Sequence, residues 1–168
     1  EQPFWLIFTV NNVANIVPAY SKDDHQHMSL GAAIQYAVDH IEVEHIIIMG
    51  HSGCGGIAAL MADEETPQCN GHAEDAGYDY IKNWVSILNP AKEAVLAYSK
   101  DTPIEEQLRL CEMEGALLSI QNLAGYPWVR EAVRKKKLTL HAWYFHIESG
   151  ELLSYRPDEG CFRRLVQP

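Results

Sequence analysis

The stretch HIIIMGHSGCGG, residues 45–56, places a histidine and a cysteine three positions apart in a glycine-rich turn. His51 and Cys54 follow an apolar run and precede GIAALMA, which has helix-forming composition. Three kinds of chemistry use such a strand–turn–helix arrangement: a metal site, a serine nucleophile on a sharp turn, and an anion site at a helix N-terminus. The neighbouring residues discriminate among these three.

A serine nucleophile is the first alternative. Residues 50–53 read GHSG and approach the G-x-S-x-G pattern, but the second glycine of that pattern is replaced by Cys54. That turn packs its helix against the strand through small residues, so a cysteine is unfavourable there. His141 or His146, together with a distant acid, would complete a triad, although no pattern marks either histidine. We therefore disfavour this interpretation.

A phosphate site is the second alternative, because a glycine-rich turn before a helix exposes free N–H groups to anions. The sequence has no P-loop lysine after the strand, and no G-x-G-x-x-G follows it. We therefore predict no dedicated nucleotide site. The helix N-terminus remains able to help hold a small anion beside a metal.

A metal site fits the turn best. Histidine nitrogen and cysteine thiolate are common zinc ligands, and a catalytic zinc keeps one position open for water. A turn at a strand end also brings His51 and Cys54 to the edge at which open α/β sheets bind ligands. On residue types alone, a partly buried histidine and a small buried cysteine remain the alternative. Cys69, which shares a polar stretch with His72, is a weaker ligand candidate and more simply a surface thiol, and Cys111 is predicted to be core.

Hydrophobic periodicity predicts the elements that position this turn. Apolar runs rich in β-branched and aromatic residues predict buried strands at 4–10 and 43–50, and a hairpin of 138–147 and 151–155 around the turn ESG. Helical spacing of apolar residues predicts helices at 28–41, after the glycines at 55 and 56, at 79–88, up to 99, at 103–123 and up to 137. The predicted fold is α/β, with a mainly parallel central β-sheet flanked by helices and an antiparallel C-terminal edge strand. We expect residues 1–168 to form a single domain.

Composition excludes several classes of function. The formal net charge is -10 and the one basic cluster is RKKK at 134–137, so we expect no nucleic-acid partner. No apolar run approaches the roughly 18 to 20 residues that span a bilayer, so we expect no membrane segment. The four cysteines are widely and irregularly spaced, which favours a reducing compartment such as the cytoplasm, or an organelle if a targeting segment has been removed.

Three separated segments resemble the β-class carbonic anhydrases. QYAVDHIEVEHIIIMGHSGCGGIAAL is similar to the strand and H-S-x-C-G turn that carry the zinc histidine and cysteine of that family. NNVANIVPAY upstream resembles its R-N-V-A-N-x-V segment, and NLAGYPWVREAVRKKKLTLHAWYFHIESGEL downstream resembles its closing helix, strand and turn. The resemblance covers nearly the whole chain, and the segments occur in the family's order.

The resemblance implies zinc-dependent, reversible hydration of carbon dioxide to bicarbonate. It implies that His51 and Cys54 are zinc ligands, and that Gly55 offers a backbone N–H near the substrate. It also implies a homodimer or a higher homo-oligomer. Two alternatives keep the fold: a non-catalytic binding or structural subunit, and a related hydrolase acting on carbonyl sulfide or carbon disulfide.

The sequence departs from the family pattern at its N-terminal side. The second cysteine ligand and an aspartate–arginine pair of the family lie in a C-x-D-x-R motif ahead of the R-N-V-A-N segment, and this motif does not occur here. The arginine that opens R-N-V-A-N is replaced by Asn11. The first strand of the family, which lies between the strands corresponding to 4–10 and 43–49, is also missing. We therefore expect the 168 residues to be a fragment of a longer chain.

Overall fold

The computed structural model describes residues 7–23, 26–62 and 79–165. The described strands form one sheet in chain order, with the bounds β1 His45–His51, β2 Thr139–His146, β3 Glu151–Arg156 and β4 Cys161–Arg164. β1 pairs in parallel with β2, whereas β2, β3 and β4 pair antiparallel. The predictions of an α/β fold and of an antiparallel C-terminal edge are confirmed. Within the described residues the sheet is mixed, and its last strand, β4, was not predicted.

Helices connect and cover these strands. Their bounds in chain order are α1 Met28–Gln35, α2 Gly55–Met61, α3 Tyr80–Val85, α4 Asn89–Ser99, α5 Ile104–Ala124 and α6 Pro127–Arg134. A π-helical turn, Tyr36–His40, continues α1. Pro90 lies in the first turn of α4, where the missing N–H of a proline costs nothing, and the predicted break between 88 and 99 corresponds to the start of this helix. The long connection from β1 to β2 is therefore the helical crossover that a parallel pair requires.

Two apolar clusters hold the layers together. The first cluster joins α2 to α3, α4 and α5, and its fully buried members include Leu88, Val95 and Cys111. The second cluster joins α1, α6 and the beginning of β2 around Leu123 and Val129. Ile46 and Ile48 of β1 pack against this second cluster. The helices of the described residues thus cover the sheet face that carries Ile46 and Ile48.

The other face of β1 is open, which corrects the prediction of a strand buried on both faces. Ile47 is 41% exposed and Met49 is 54% exposed. Both lie one residue away from the covered positions Ile46 and Ile48, so they point to the opposite side of the sheet. The apolar run of β1 is continuous rather than alternating, and a continuous run indicated that both faces of the strand are buried. No helix of the described residues covers this exposed face.

The prediction of a buried strand at 4–10 is wrong for the part that the structure describes. Residues 7–10 are irregular and exposed, with Ile7 81% exposed, while residues 4–6 lie outside the described ranges. A strand needs a neighbour to pair its backbone groups. None of the described strands pairs with residues 7–10, so their β-branched and aromatic composition produces no strand.

Candidate metal centre

The turn that carries the candidate ligands lies between the end of β1 and the start of α2. His51 is the last residue of β1, and Cys54 precedes the first residue of α2 with φ -67° and ψ 113°. Gly53 has φ +69°, a left-handed conformation that glycine adopts without the steric cost other residues incur. This glycine lets the chain reverse within two residues, so His51 and Cys54 both lie at the carboxyl end of β1.

Hydrogen bonding determines which nitrogen of His51 is available. Its Nδ1 lies 3.0 Å from the carbonyl oxygen of Ser52. A carbonyl only accepts, so Nδ1 carries the proton and donates it to this bond, and Nε2 keeps its lone pair. A ring N–H held by a backbone carbonyl is the usual arrangement of a metal-binding histidine. Nε2 is therefore the nitrogen of His51 that is left with a lone pair for a ligand.

Ser52 attaches the turn to β2. Its backbone N–H donates to the carbonyl of Phe145 at 3.0 Å, and its Oγ accepts a hydrogen bond from the N–H of Ile147 at 2.9 Å. The parallel register continues this attachment, since His51 lies beside Phe145. The hydroxyl of Ser52 thus has a structural partner, which argues further against its interpretation as a nucleophile.

Cys54 is fixed from the opposite side by a buried acid on α5. The backbone N–H of Cys54 donates to Oε1 of Glu112 at 2.9 Å, and the hydroxyl of Tyr144 donates to Oε2 at 2.7 Å. Glu112 is 5% exposed and Tyr144 is fully buried. Burial, followed by the hydrogen bond to Glu112, raises the pKa of the Tyr144 phenol above its ordinary value. The phenol therefore stays protonated and remains a donor to the acid.

Two glycines allow the close packing around the turn. A Cβ at Gly50 would lie 3.3 Å from the carbonyl oxygen of Glu112, so β1 approaches α5 directly at this point. A Cβ at Gly56 would lie 2.7 Å from Cγ1 of Val13 and 2.9 Å from Cβ of Ala14. Ala14 itself has φ 60°, in the short helical turn Val13–Asn15. The NNVAN segment thus packs directly on the first turn of α2.

The similarity of this chain to known proteins includes the residues of this turn. The protein-family model described as carbonic anhydrase matches residues 6–152. The chain belongs to the β-carbonic anhydrase family. Beta carbonic anhydrase 3 of Arabidopsis thaliana is 38% identical over 143 residues, which cover 85% of this chain and 52% of that protein. The chain thus spans about half the length of this curated relative.

Solved structures show the same β-carbonic anhydrase fold. The structure of the β-carbonic anhydrase CcaA superimposes with a TM-score of 0.78 at 27% identity, covering 94% of this chain and 71% of that chain. A tetrameric β-carbonic anhydrase from Sordaria macrospora superimposes with a TM-score of 0.68 at 27% identity, covering 90% and 67%. The family resemblance and the fold predicted from the sequence are both confirmed.

The turn of this β-carbonic anhydrase chain contains donor atoms of the types that bind zinc. A histidine nitrogen and a cysteine thiolate are suitable zinc donors, and the hydrogen bond of His51 suits a metal on Nε2. Within the described ranges, however, no three His, Cys, Asp or Glu side chains cluster in a way that could hold a metal ion. The donor types fit zinc, and the described part of the chain brings two such donors, His51 and Cys54, into one turn.

Among the described residues, the other candidates from the sequence do not join this pair. Cys69 and His72 lie outside the described residues. Cys111 is fully buried on α5, and burial above all raises the pKa of its thiol to about 12, so it remains a protonated core residue as predicted. His141 contacts His45 through a ring nitrogen pair at 3.1 Å, whereas His146 bonds to Ser149.

Gly55 begins α2, and no described atom lies within 4 Å of the position its Cβ would take. The protein itself therefore does not demand a glycine here. An open approach to the backbone N–H is compatible with the role that the resemblance implies.

No helix among the described residues is long and apolar enough to cross a membrane.

Glu112 is the functional candidate that was missed in the sequence. Helical spacing places it on the stripe formed by Leu108, Cys111, Gly115 and Ser119, and most of that stripe is buried. An acid on an apolar stripe is a signal of a buried, partnered carboxylate. The sequence shows this signal but does not identify the partners, because they lie 58 and 32 residues away along the chain.

Proposed function

We propose that this protein catalyses the zinc-dependent, reversible hydration of carbon dioxide to bicarbonate. The observation that carries the proposal is the turn at the end of β1, where His51 and Cys54 are held together and Nδ1 of His51 is already bonded to a carbonyl. Membership of the β-carbonic anhydrase family supports the same activity.

In this proposal Nε2 of His51 and Sγ of Cys54 hold the zinc. When bound, zinc lowers the pKa of water to about 7 and so supplies a nucleophile at neutral pH. The remaining protein ligand comes from outside the described residues, as the family's C-x-D-x-R motif would provide. Cys54 binds as a thiolate, and the hydrogen bonds of Ser52 hold the turn that carries both ligands against β2 before the metal binds.

The backbone N–H of Gly55 is proposed to face the substrate. It precedes the first hydrogen-bonded N–H of α2, so helix formation leaves it free to donate. The absence of a side chain at Gly55 leaves room for a molecule as small as carbon dioxide beside the backbone. In this role Gly55 orients the substrate rather than transferring a proton.

Assembly and location are proposed on the same footing. A homodimer or higher homo-oligomer is supported by the tetrameric relative from Sordaria macrospora and by the open apolar face of β1 with Ile47 and Met49. A reducing compartment such as the cytoplasm is supported by the cysteines, since Cys54, Cys111 and Cys161 are free thiols in the structure.

The test measures zinc content and stopped-flow carbon dioxide hydration in the full-length protein and its His51→Ala variant. We expect about one zinc per chain in the wild type, and loss of both zinc and hydration in the variant. His40→Ala is the matched control, because His40 is exposed in the π-helical turn and stacks on Tyr36. A zinc-free wild type, or a His51→Ala variant with full activity, would refute the proposal.

An assay of carbonyl sulfide hydrolysis on the same samples separates the related hydrolase. Faster turnover of carbonyl sulfide than of carbon dioxide would assign the alternative substrate. A full-length protein that binds zinc but acts on neither substrate would support the non-catalytic role.

A further inference from the structure

Glu112 is a buried acid that the proposed function does not use. It lies on the face of α5 that also buries Cys111, Gly115 and Ala116, where side chains are apolar or small. Burying an acid in such surroundings is unfavourable unless its oxygens are hydrogen-bonded. Both oxygens of Glu112 accept hydrogen bonds, one from Cys54 and one from Tyr144. The acid is therefore fully partnered, and one of its partners is a candidate metal ligand.

The geometry joins three elements at one carboxylate. Cys54 belongs to the turn before α2, Glu112 lies in the middle of α5, and Tyr144 lies in β2. Arg109 interacts electrostatically with Glu112, but its guanidinium makes its hydrogen bonds to Glu106 on the same helix. One hydrogen bond of Glu112 thus holds the backbone of the turn, and the other is made with Tyr144 in the sheet.

The backbone of Cys54 needs such a partner. Cys54 has extended rather than helical dihedral angles, and its N–H precedes the first hydrogen bond of α2. A lost bond would leave a buried N–H unsatisfied and free the peptide plane to rotate. Rotation of that plane would move Cβ and Sγ, because both extend from the same Cα. The bond to Glu112 therefore constrains the direction of the Cα–Cβ bond from which the thiol extends.

We propose that Glu112 is a positioning residue that aims the thiolate of Cys54 at the metal through the backbone N–H of Cys54, with Tyr144 holding the carboxylate in place. This inference rests on the proposed function in that it takes Cys54 as a zinc ligand. Glu112 touches neither metal nor substrate in this role. Removing a hydrogen bond that orients a metal ligand typically lowers metal affinity about 10- to 100-fold.

The test compares Glu112→Gln with Glu112→Met in the full-length protein. Both side chains are close to glutamate in size, but only glutamine keeps an oxygen that accepts from Cys54, while its amide N–H donates to Tyr144. We expect the zinc dissociation constant, measured by competition with a chromophoric chelator, to rise about 10- to 100-fold in Glu112→Met and to stay close to wild type in Glu112→Gln. Glu105→Gln is the control, an exposed acid on the same helix.

A purely structural role would change the unfolding free energy without this difference in zinc affinity. A folded Glu112→Met with wild-type zinc affinity overturns the proposal. So does a folded Glu112→Gln that binds zinc as weakly as Glu112→Met, because the acceptor would then not be what matters. If Glu112→Met does not fold, Tyr144→Phe replaces it, with a several-fold rise in the zinc dissociation constant expected and an unchanged constant overturning the proposal.

A metal-independent measurement separates failure of this inference from failure of the proposed function. In zinc-free protein we expect the alkylation rate of Cys54 by iodoacetamide, followed by peptide mass spectrometry relative to Cys161, to change in Glu112→Met and not in Glu112→Gln. If the wild type holds no zinc, the proposed function fails while this comparison still tests the positioning. Equal alkylation rates in all three proteins would overturn it.

Discussion

Replacing Gly56 with alanine tests whether the NNVAN segment and α2 pack as tightly as the structure shows. Gly56 is the second residue of α2, and its Cα faces the short helical turn Val13–Asn15. An added Cβ would lie 2.7 Å from Cγ1 of Val13 and 2.9 Å from Cβ of Ala14. Both distances are shorter than real contacts of a Cβ, so one of the two neighbours must move.

The two neighbours differ in how easily they move. Val13 is half exposed, and its side chain can rotate away. Ala14 has no rotatable side chain, so relieving its contact requires a backbone shift in a residue already held at φ 60°. Overpacking of this kind costs about 1 to 3 kcal/mol. Alanine in place of glycine within a helix contributes up to about 1 kcal/mol of stability, so after this gain we expect a net loss of up to about 2 kcal/mol.

Urea denaturation of the full-length protein measures this loss, and the adjacent glycine provides the control. Gly55→Ala makes the same chemical change one residue earlier, where no described atom lies within 4 Å of the new Cβ. We expect Gly55→Ala to leave the unfolding free energy unchanged or slightly raised, and Gly56→Ala to lower it. If Gly56→Ala is as stable as Gly55→Ala, the packing of Val13 and Ala14 on α2 is not as described.

Two further predictions concern single side chains. In the native protein at pH 8, iodoacetamide should modify Cys161 and leave Cys111 unmodified. Burial raises the pKa of the Cys111 thiol to about 12, whereas Cys161 is half-buried in β4. Modification of Cys111 before unfolding would contradict its place in the core. The pKa of His141 is lowered from its ordinary value of 6.5, mainly by burial and to a smaller extent by His45. The unfolded chain therefore binds a proton at His141 more readily than the folded chain does. The stabilisation from neutral His141 is present above pH 6.5 and is lost as the pH falls through the lowered pKa. In urea titrations at several pH values, His141→Asn should reduce this acid dependence of the unfolding free energy. An unchanged dependence would contradict the prediction.

The helices were the most predictable part of the fold, because their ends carry local signals. α5 was predicted at 103–123 and occupies Ile104–Ala124, since Pro103 with two acids marks its start and the break at 125–127 marks its end. β4 has no comparable signal. Its four residues include Arg163 and Arg164, and they become a strand only because β3 offers them an edge to pair with.

Burial of the strands was less predictable than their position. The apolar composition of β1 indicated two covered faces, and residues 4–10 have the composition of a strand. Composition reports what a segment tolerates, whereas burial depends on which other elements pack against it. In the described residues Ile47 and Met49 have no covering helix, and residues 7–10 have no neighbouring strand.

The candidate site also has a part that the local sequence predicts and a part that depends on residues far away in the chain. His51, Gly53 and Cys54 lie within four consecutive residues, so local sequence is enough to suggest a metal-binding turn, but the family resemblance was needed to favour it over a packed histidine and cysteine. What holds that turn is not local: Ser52 is attached to β2, and Cys54 is attached to α5 through Glu112.

Each distant partner also has an ordinary interpretation in the sequence. A glutamate within a helix is most often exposed, and a pair of glycines most often marks a turn. Only the folded chain brings the carbonyl of Glu112 against Gly50 and its carboxylate against Cys54, so that one residue contacts both the end of β1 and the backbone of the cysteine that follows it. For this reason we expect substitutions at Glu112 to affect zinc affinity more than substitutions at any exposed acid of α5.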